Sequence, residues 1–157
     1  TLSLHDALPI LAYQVSVFLE NKIGHFARVT RVLKDISVNI RTMTLTNTAN
    51  GWGILNLLVS DPEKACESLA EQGFSVALRE VIALRMVDRP GGLDELLVKI
   101  AGAGISFDNA VGRITDEGKS AILVLDVKDP SEAREKLKAV GINELESHIV
   151  YGIPEKT

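Results

Sequence analysis

"ENKIGHFARV" spans Glu20 to Val29, and "VDRPGGLDEL" spans Val87 to Leu96. Each leaves an apolar run, crosses a short polar loop to a glycine and opens into apolar residues at helical spacing. Gly91 lies 67 residues after Gly24, and the same offset pairs Asn21 with Asp88 and Phe26 with Leu93. Self-similarity at a fixed offset marks an internal repeat. The fold therefore follows from reading one unit and checking the other against it.

In the first unit, "YQVSVFLE" has the β-branched and aromatic content of a strand. After the Gly24 loop, Phe26, Val29, Val32, Leu33 and Ile36 form one apolar helical stripe. "VNIRTMTLT" and "WGILNLLVS" read as two strands joined by "NTANG", which carries hairpin turn chemistry. "DPEKACESLAEQG" predicts a helix with Asp61 as N-cap, Pro62 at its first position and Gly73 as its stop. "FSVALREV" reads as the closing strand. The second unit repeats the order: "VIALRMV", the Gly91 loop, a helix marked by Leu93, Leu96, Leu97 and Ile100, then "ISFDNAVGRIT" and "SAILVLDV". "DPSEAREKLKAVG" supplies its second helix and "ELESHIVY" its expected closing strand. The second "DP" comes 68 residues after the first, so the copies differ by one residue in the hairpin region.

Each unit reads β-α-β-β-α-β, whose compact solution is a four-stranded antiparallel sheet with both helices on one face. The fold class expected is α+β, two ferredoxin-like units over residues 14–80 and 81–151. "FSVALREVIALRMVD" is almost continuous strand sequence, so no linker separates the copies, and coupled halves with a pocket between them are expected. The first ten residues, "TLSLHDALPI", are set apart. Codon for codon they match act ctt tcc cta cac gac gct ctt ccg atc, which resembles a widely used short-read sequencing adapter. Read as an adapter-derived scar or as a disordered tail, this segment is excluded from fold reasoning.

Apolar residues make up 46% of the chain and charged ones 24%, values that place it among globular proteins rather than disordered ones. No apolar run approaches the roughly 20 residues of a membrane span, and a lone Cys66 makes no internal disulfide. A cytoplasmic protein is the expectation. The 17 basic residues are interspersed with 21 acidic ones and aromatics are 4%, which argues against nucleic acid as a partner. Neither zinc spacing, a Walker loop nor a nucleophile elbow occurs, so no cofactor, no metal and no catalysis are expected.

The two stretches "VSVFLENKIGHFARVTRVLKDISVNI" and "IALRMVDRPGGLDELLVKIAGAGISF" resemble the ACT domain, a βαββαβ module that binds amino acids and regulates metabolic enzymes. Each has a strand, an Asn or Asp, a glycine, a helix and an approach to strand two, in that order. More narrowly the chain resembles bacterial proteins built almost entirely of two ACT domains. That resemblance implies an allosteric sensor with a free amino acid as ligand, a homodimer or other homo-oligomer, and a partner enzyme or regulator. It also implies the contacts. Asn21 and Asp88 would meet the ligand's amino group, and the loop backbone its carboxylate. The contacting positions carried over are Ile23, Gly24, His25, Phe26, Asn39 and Ile40 in copy one, and Pro90, Gly91, Gly92, Leu93, Ser106 and Phe107 in copy two. Ile23 stands where the family commonly has proline, and His25 where it has a small residue.

The loop chemistry points the same way. Glycines allow close backbone approach, and a helix N-terminus offers unpaired N–H groups that suit a carboxylate. Asp88 offers an ammonium a charge where Asn21 offers a neutral oxygen, so copy two should hold an amine more strongly. Plainer roles stand beside these: turn glycines at Gly24 and Gly91, caps at Asn21 and Asp88, a solvated His25, a structural His148 in the closing strand, a buried small Cys66, and Trp52 packing at a strand start. Competing functions are a detached regulatory subunit resembling the acetolactate synthase small subunit, and a ferredoxin-like module with a purely protein-interaction role. An acylphosphatase-like enzyme needs an arginine that "ENKIGHF" lacks, and an RNA-recognition module needs aromatics that "GILNLLV" lacks.

Overall fold

The computed structural model describes residues 11–152; the segment Thr1–Ile10 set apart above lies outside the described residues. Among the described residues the chain divides into two compact units, one of Tyr13–Arg79 with Tyr151 and Gly152, the other of Glu80–Val150 with residues 11–12.

The first unit runs β1 (Ala12–Glu20), α1 (Ile23–Asp35), β2 (Ile40–Asn47), β3 (Trp52–Val59), α2 (Pro62–Glu71) and the first half of β4 (Ser75–Val87). Its strands lie in the order β2-β3-β1-β4. β1 and β3 pair antiparallel with Val17 opposite Leu55, and β2 pairs with β3 with Leu45 opposite Leu55. Alternation then fixes the core: Val15, Val17 and Leu19 share a face with Leu55, Leu57 and Val59, and α1 and α2 close it with Val29, Leu33, Ala65 and Leu69. Each of the valines and leucines among them contributes about 1.5–3 kcal/mol when taken fully out of water. Asp61 caps α2 as its sequence implies, its side chain accepting from Lys64 N–H at 3.1 Å, and Pro62 opens the helix.

The second unit takes the remainder of β4, then α3 (Gly92–Gly102), β5 (Asn109–Asp116), β6 (Ser120–Asp126), α4 (Pro130–Ala139) and a one-turn α5 (Ser147–Val150), with strand order β4-β6-β5. The repeat is exact in the core. Ile82, Leu84, Leu96, Ile100, Leu123, Leu125, Ala133 and Leu137 occupy the places of Val15, Val17, Val29, Leu33, Leu55, Leu57, Ala65 and Leu69. Asp129 caps α4 through Glu132 N–H, as Asp61 caps α2.

Four details depart from the sequence reading. "FSVALREV" and "VIALRMV" form one strand of 13 residues rather than two. "ELESHIVY" is not a strand: Leu145 N–H reaches Ala83 C=O at 2.8 Å, but the chain then turns into α5. Arg113 donates to the carbonyls of Ile149 and Val150, satisfying groups a ladder would have paired, and Arg134 on α4 holds Glu144 at 2.5 Å. His148 therefore lies in α5 and not in a strand. β5 begins at Asn109 rather than Ile105, because Ile105 N–H closes the end of α3 on Ile100 C=O. Leu93 is 45% exposed and stands apart from the helical stripe, which is completed by Leu96, Leu97 and Ile100.

Candidate functional site

In copy one the β1–α1 loop is tied at Asn21 through both backbone and side chain. Asn21 N–H donates to Gly51 C=O at 2.8 Å, and the Asn21 side-chain Nδ2 donates to Asn47 Oδ1. Both partners belong to the β2–β3 hairpin, whose turn places Asn50 at φ 70° and Gly51 at φ 78°. Lys22 then serves as N-cap of α1 in extended conformation without a side-chain cap. Its carbonyl receives His25 N–H and Phe26 N–H at 3.0 and 3.3 Å. The first turn of α1 contains no acidic side chain, so the helix start keeps its partial positive charge uncompensated from within. Glu20 is paired with Lys22 at 2.9 Å, and that hydrogen bond and charge lower its carboxyl below the ordinary range.

Copy two repeats the frame with different chemistry. Asp88 N–H donates to Lys119 C=O at 3.2 Å, and Asp88 Oδ2 accepts from Gly118 N–H at 2.7 Å. The loop is tighter. Gly91 takes φ 86° as N-cap of α3, and a Cβ on Gly92 would stand 2.0 Å from Val87 C=O. Both glycines are thus demanded by the backbone. Gly24 is not: it lies in α1 outside the left-handed region, and a Cβ there would meet no atom within 4 Å. α3 has no side-chain cap either, but Asp94 and Glu95 occupy its first turn, and Arg89 grips Glu95 through two bonds of 2.9 and 3.1 Å.

The remaining candidates lie in different settings. Ile23 is 83% exposed at the start of α1, while Phe26 and Ile40 are partly buried and pack against the core. His25 is half-buried in the first turn and Pro90 is exposed in the copy-two loop. Asn39 is exposed and exchanges hydrogen bonds with Ser60, its N–H donating to Ser60 Oγ and its carbonyl receiving Ser60 N–H, both at 2.9 Å. Ser106 and Phe107 precede β5. Ser106 lines a concavity of about 110 Å³ with Gly104, Lys128 and Asp129, and among its described lining residues none comes from the 88–93 loop. Asn47, Gly51, Gly118 and Lys119 were not read as site residues; the turn signal "NTANG" marks the first hairpin, but nothing local shows what either hairpin tip holds.

The plainer readings also resolve. Neither Asn21 nor Asp88 caps a helix. Trp52 does open β3, and its ring stacks on Phe18 of β1 with centroids 5.0 Å apart and planes 5° from parallel, an exposed aromatic pair lying outside "GILNLLV". Cys66 is partly buried on α2, and burial pushes its thiol pKa up. Among the described residues no cluster of His, Cys, Asp and Glu is placed to hold a metal ion, and no helix is long and apolar enough to cross a membrane.

The frame of two matched loops, each opening an uncapped helix and tied to its own hairpin, coincides with a family match. The family model described as an ACT domain pair covers residues 10–149. The chain belongs to the ACT domain pair family. Among solved structures, this ACT pair is similar to the protein BT0572 from Bacteroides thetaiotaomicron, with 28% identity and a TM-score of 0.80, over 90% of this chain and 96% of that one. The regulatory subunit of aspartate kinase from Thermus thermophilus, in its ligand-free form, matches with 14% identity and a TM-score of 0.58, over 83% of this chain and 93% of that one. The second likeness is one of fold. No curated protein matches the ACT pair in sequence.

Proposed function

We propose that this ACT pair is a regulatory protein that binds a free amino acid at its β1–α1 and β4–α3 loops and carries no catalytic activity of its own. The division into ACT domains at 14–80 and 81–151 goes with this reading. One observation carries it: α2 and α4 are capped by Asp61 and Asp129, whereas the two helices that open the candidate loops are left without a side-chain cap. The available N–H groups at a helix start suit the ligand's carboxylate. Asn21 and Asp88 each have one oxygen beyond the atom already bonded, and that oxygen suits the ammonium. The first turn of α1 holds no acid, while Asp94 and Glu95 repel an anion at α3, so copy one is the better carboxylate site and Asp88 makes copy two the better ammonium site. Exposed Ile23 and Leu93 beside the two loops are surfaces that a second copy of the chain would cover, consistent with a homodimer. A partner enzyme is implied by the family in the same way, including the reading as a detached regulatory subunit.

One helix start contributes at most about 2 kcal/mol, against about 8 kcal/mol for micromolar binding, so backbone and side-chain contacts must converge. The test is thermal melting with each common amino acid in turn. A ligand at 100 times its dissociation constant stabilises by about 2.7 kcal/mol, which for this length raises the melting temperature by about 5–10 °C. A shift with one amino acid or one chemical class supports the reading; no shift with any of them refutes it.

A further inference from the structure

We propose that the two hairpin tips act as positioning elements for the amine-binding oxygens, Asn47 orienting Asn21 in copy one and the Gly118 amide orienting Asp88 in copy two. The inference rests on the amino-acid reading above, and it goes beyond it by assigning a role to residues outside the loops. Its basis is that the chain solves the same problem twice with opposite chemistry. The backbone tie is shared: Asn21 N–H meets Gly51 C=O, and Asp88 N–H meets Lys119 C=O. The side-chain tie is complementary. Where the loop residue is an amide, the tip supplies an acceptor, Asn47 Oδ1; where it is a carboxylate, the tip supplies a donor, Gly118 N–H at 2.7 Å.

In both copies a side-chain oxygen is left without a hydrogen bond among the described residues. An isolated asparagine presents its oxygen or its NH₂ group with equal ease, because the two differ by a half-turn of the side-chain amide. With Nδ2 paired to Asn47 Oδ1, as in the structure, Oδ1 is the outward group, which attracts an ammonium where NH₂ would repel it; an aspartate at 47, which can only accept, would hold that orientation fully. Asp88 has no such ambiguity of charge, and Gly118 instead holds one of its two oxygens, fixing the direction of the other. Asn21, Asn47 and Gly118 are exposed and Asp88 is partly so, and a net contribution of about 0.5–1.5 kcal/mol per hydrogen bond makes these ties minor for the fold. Their effect should fall on binding.

The experiment is an amide NMR spectrum of the full chain and of Asn47→Ala, Asn47→Asp and Asp88→Asn, each alone and with each of the twenty common amino acids added singly. In the wild type the Asn21 side-chain amide and the Gly118 backbone amide should exchange slowly with solvent. Asn47→Ala should free the Asn21 amide and weaken binding at copy one about tenfold, the effect of one lost hydrogen bond, while melting within a few degrees of wild type. Asn47→Asp keeps an acceptor and should restore both readouts. Asp88→Asn should keep Gly118 protected, because an amide oxygen still accepts, yet lose the amine at copy two. An Asn21 amide that exchanges freely in the wild type, or unchanged binding in Asn47→Ala, overturns the positioning role even if an amino acid binds. If no amino acid moves any resonance of the wild type, the functional reading fails and takes this inference with it, whatever the amide exchange shows.

Discussion

Substituting the two loop glycines one at a time should separate what the fold requires from what a ligand requires. At Gly92 an added methyl would stand 2.0 Å from the Val87 carbonyl oxygen, where ordinary contact needs more than 3 Å. The backbone must open by about an ångström, and overpacking of this kind costs about 1–3 kcal/mol. For this chain length that lowers the melting temperature of Gly92→Ala by about 2–12 °C. At Gly24 the added methyl meets nothing within 4 Å, and the residue already lies in the first turn of α1. Alanine there gains helix propensity and loses unfolded-state entropy, together worth about 0.4–1 kcal/mol. Gly24→Ala should therefore melt at or up to about 4 °C above the wild type. The functional reading adds a second expectation: the methyl occupies the open space beside the α1 start, so Gly24→Ala should lose the amino-acid-induced shift at copy one while remaining fully folded. Differential scanning calorimetry with and without the stabilising amino acid measures both. A Gly24→Ala protein destabilised as much as Gly92→Ala would refute the geometry, and one that binds normally would refute the placement of the carboxylate against that helix turn.

Three further outcomes follow from other parts of the molecule. Arg134 is gripped by Glu144 at 2.5 Å and Glu80 at 2.8 Å, and its hydrogen bonds and charge pairs raise its pKa although burial alone would lower it. Arg134→Ala leaves Glu144 poorly solvated and unpaired, at a cost of about 3 kcal/mol in urea unfolding, and Arg134→Ala with Glu144→Leu should recover much of that loss. The Tyr151 phenol accepts a hydrogen bond from Tyr13 N–H at 3.1 Å, and burial pushes its pKa up to about 12. Because the folded value lies above the unfolded one near 10, this contribution to stability is complete below pH 10 and lost as pH rises towards 12; ultraviolet titration of Tyr13→Phe should give a single late phenolate transition, and a midpoint near 10 would contradict the buried placement. Cys66 should react with a disulfide reagent at pH 8 more slowly than a free thiol, since burial raises its pKa and thins the thiolate. A rate equal to that of free cysteine would count against its partial burial.

The elements that sequence reveals best are those set by periodicity. Val29 and Leu33, and Leu96 and Ile100 at the same offset, are spaced as one helix face and are buried in both copies. Asp61-Pro62 and Asp129-Pro130 announce helix starts by local chemistry alone, and both helices begin there. "ELESHIVY" misleads because its strand composition competes with Arg113, a residue about 36 positions away that satisfies its carbonyls through a side chain. The hairpin ties to Asn21 and Asp88 are hidden for the same reason: 26 and 30 residues separate the partners, and no spacing rule links them. Gly24 and Gly91 look alike in sequence, yet only Gly91 sits at a positive φ, because α1 begins directly after Lys22 whereas α3 waits for the Arg89-Pro90-Gly91 turn.

The single residue by which the copies differ in length is absorbed in the β5–β6 hairpin, where pairing slips between Ile114 and Asp116 just before the Gly118 tip. After a duplication the two halves start identical, and drift in the core is checked by packing on both sides. A hairpin tip is under no such check. An inserted residue there could exchange a side-chain acceptor for a main-chain donor, and only then could the loop residue opposite change from amide to carboxylate without facing a mismatched neighbour. Divergence of this kind leaves one chain with two matched loops of unequal charge, and on the proposed reading that would give it two thresholds of response.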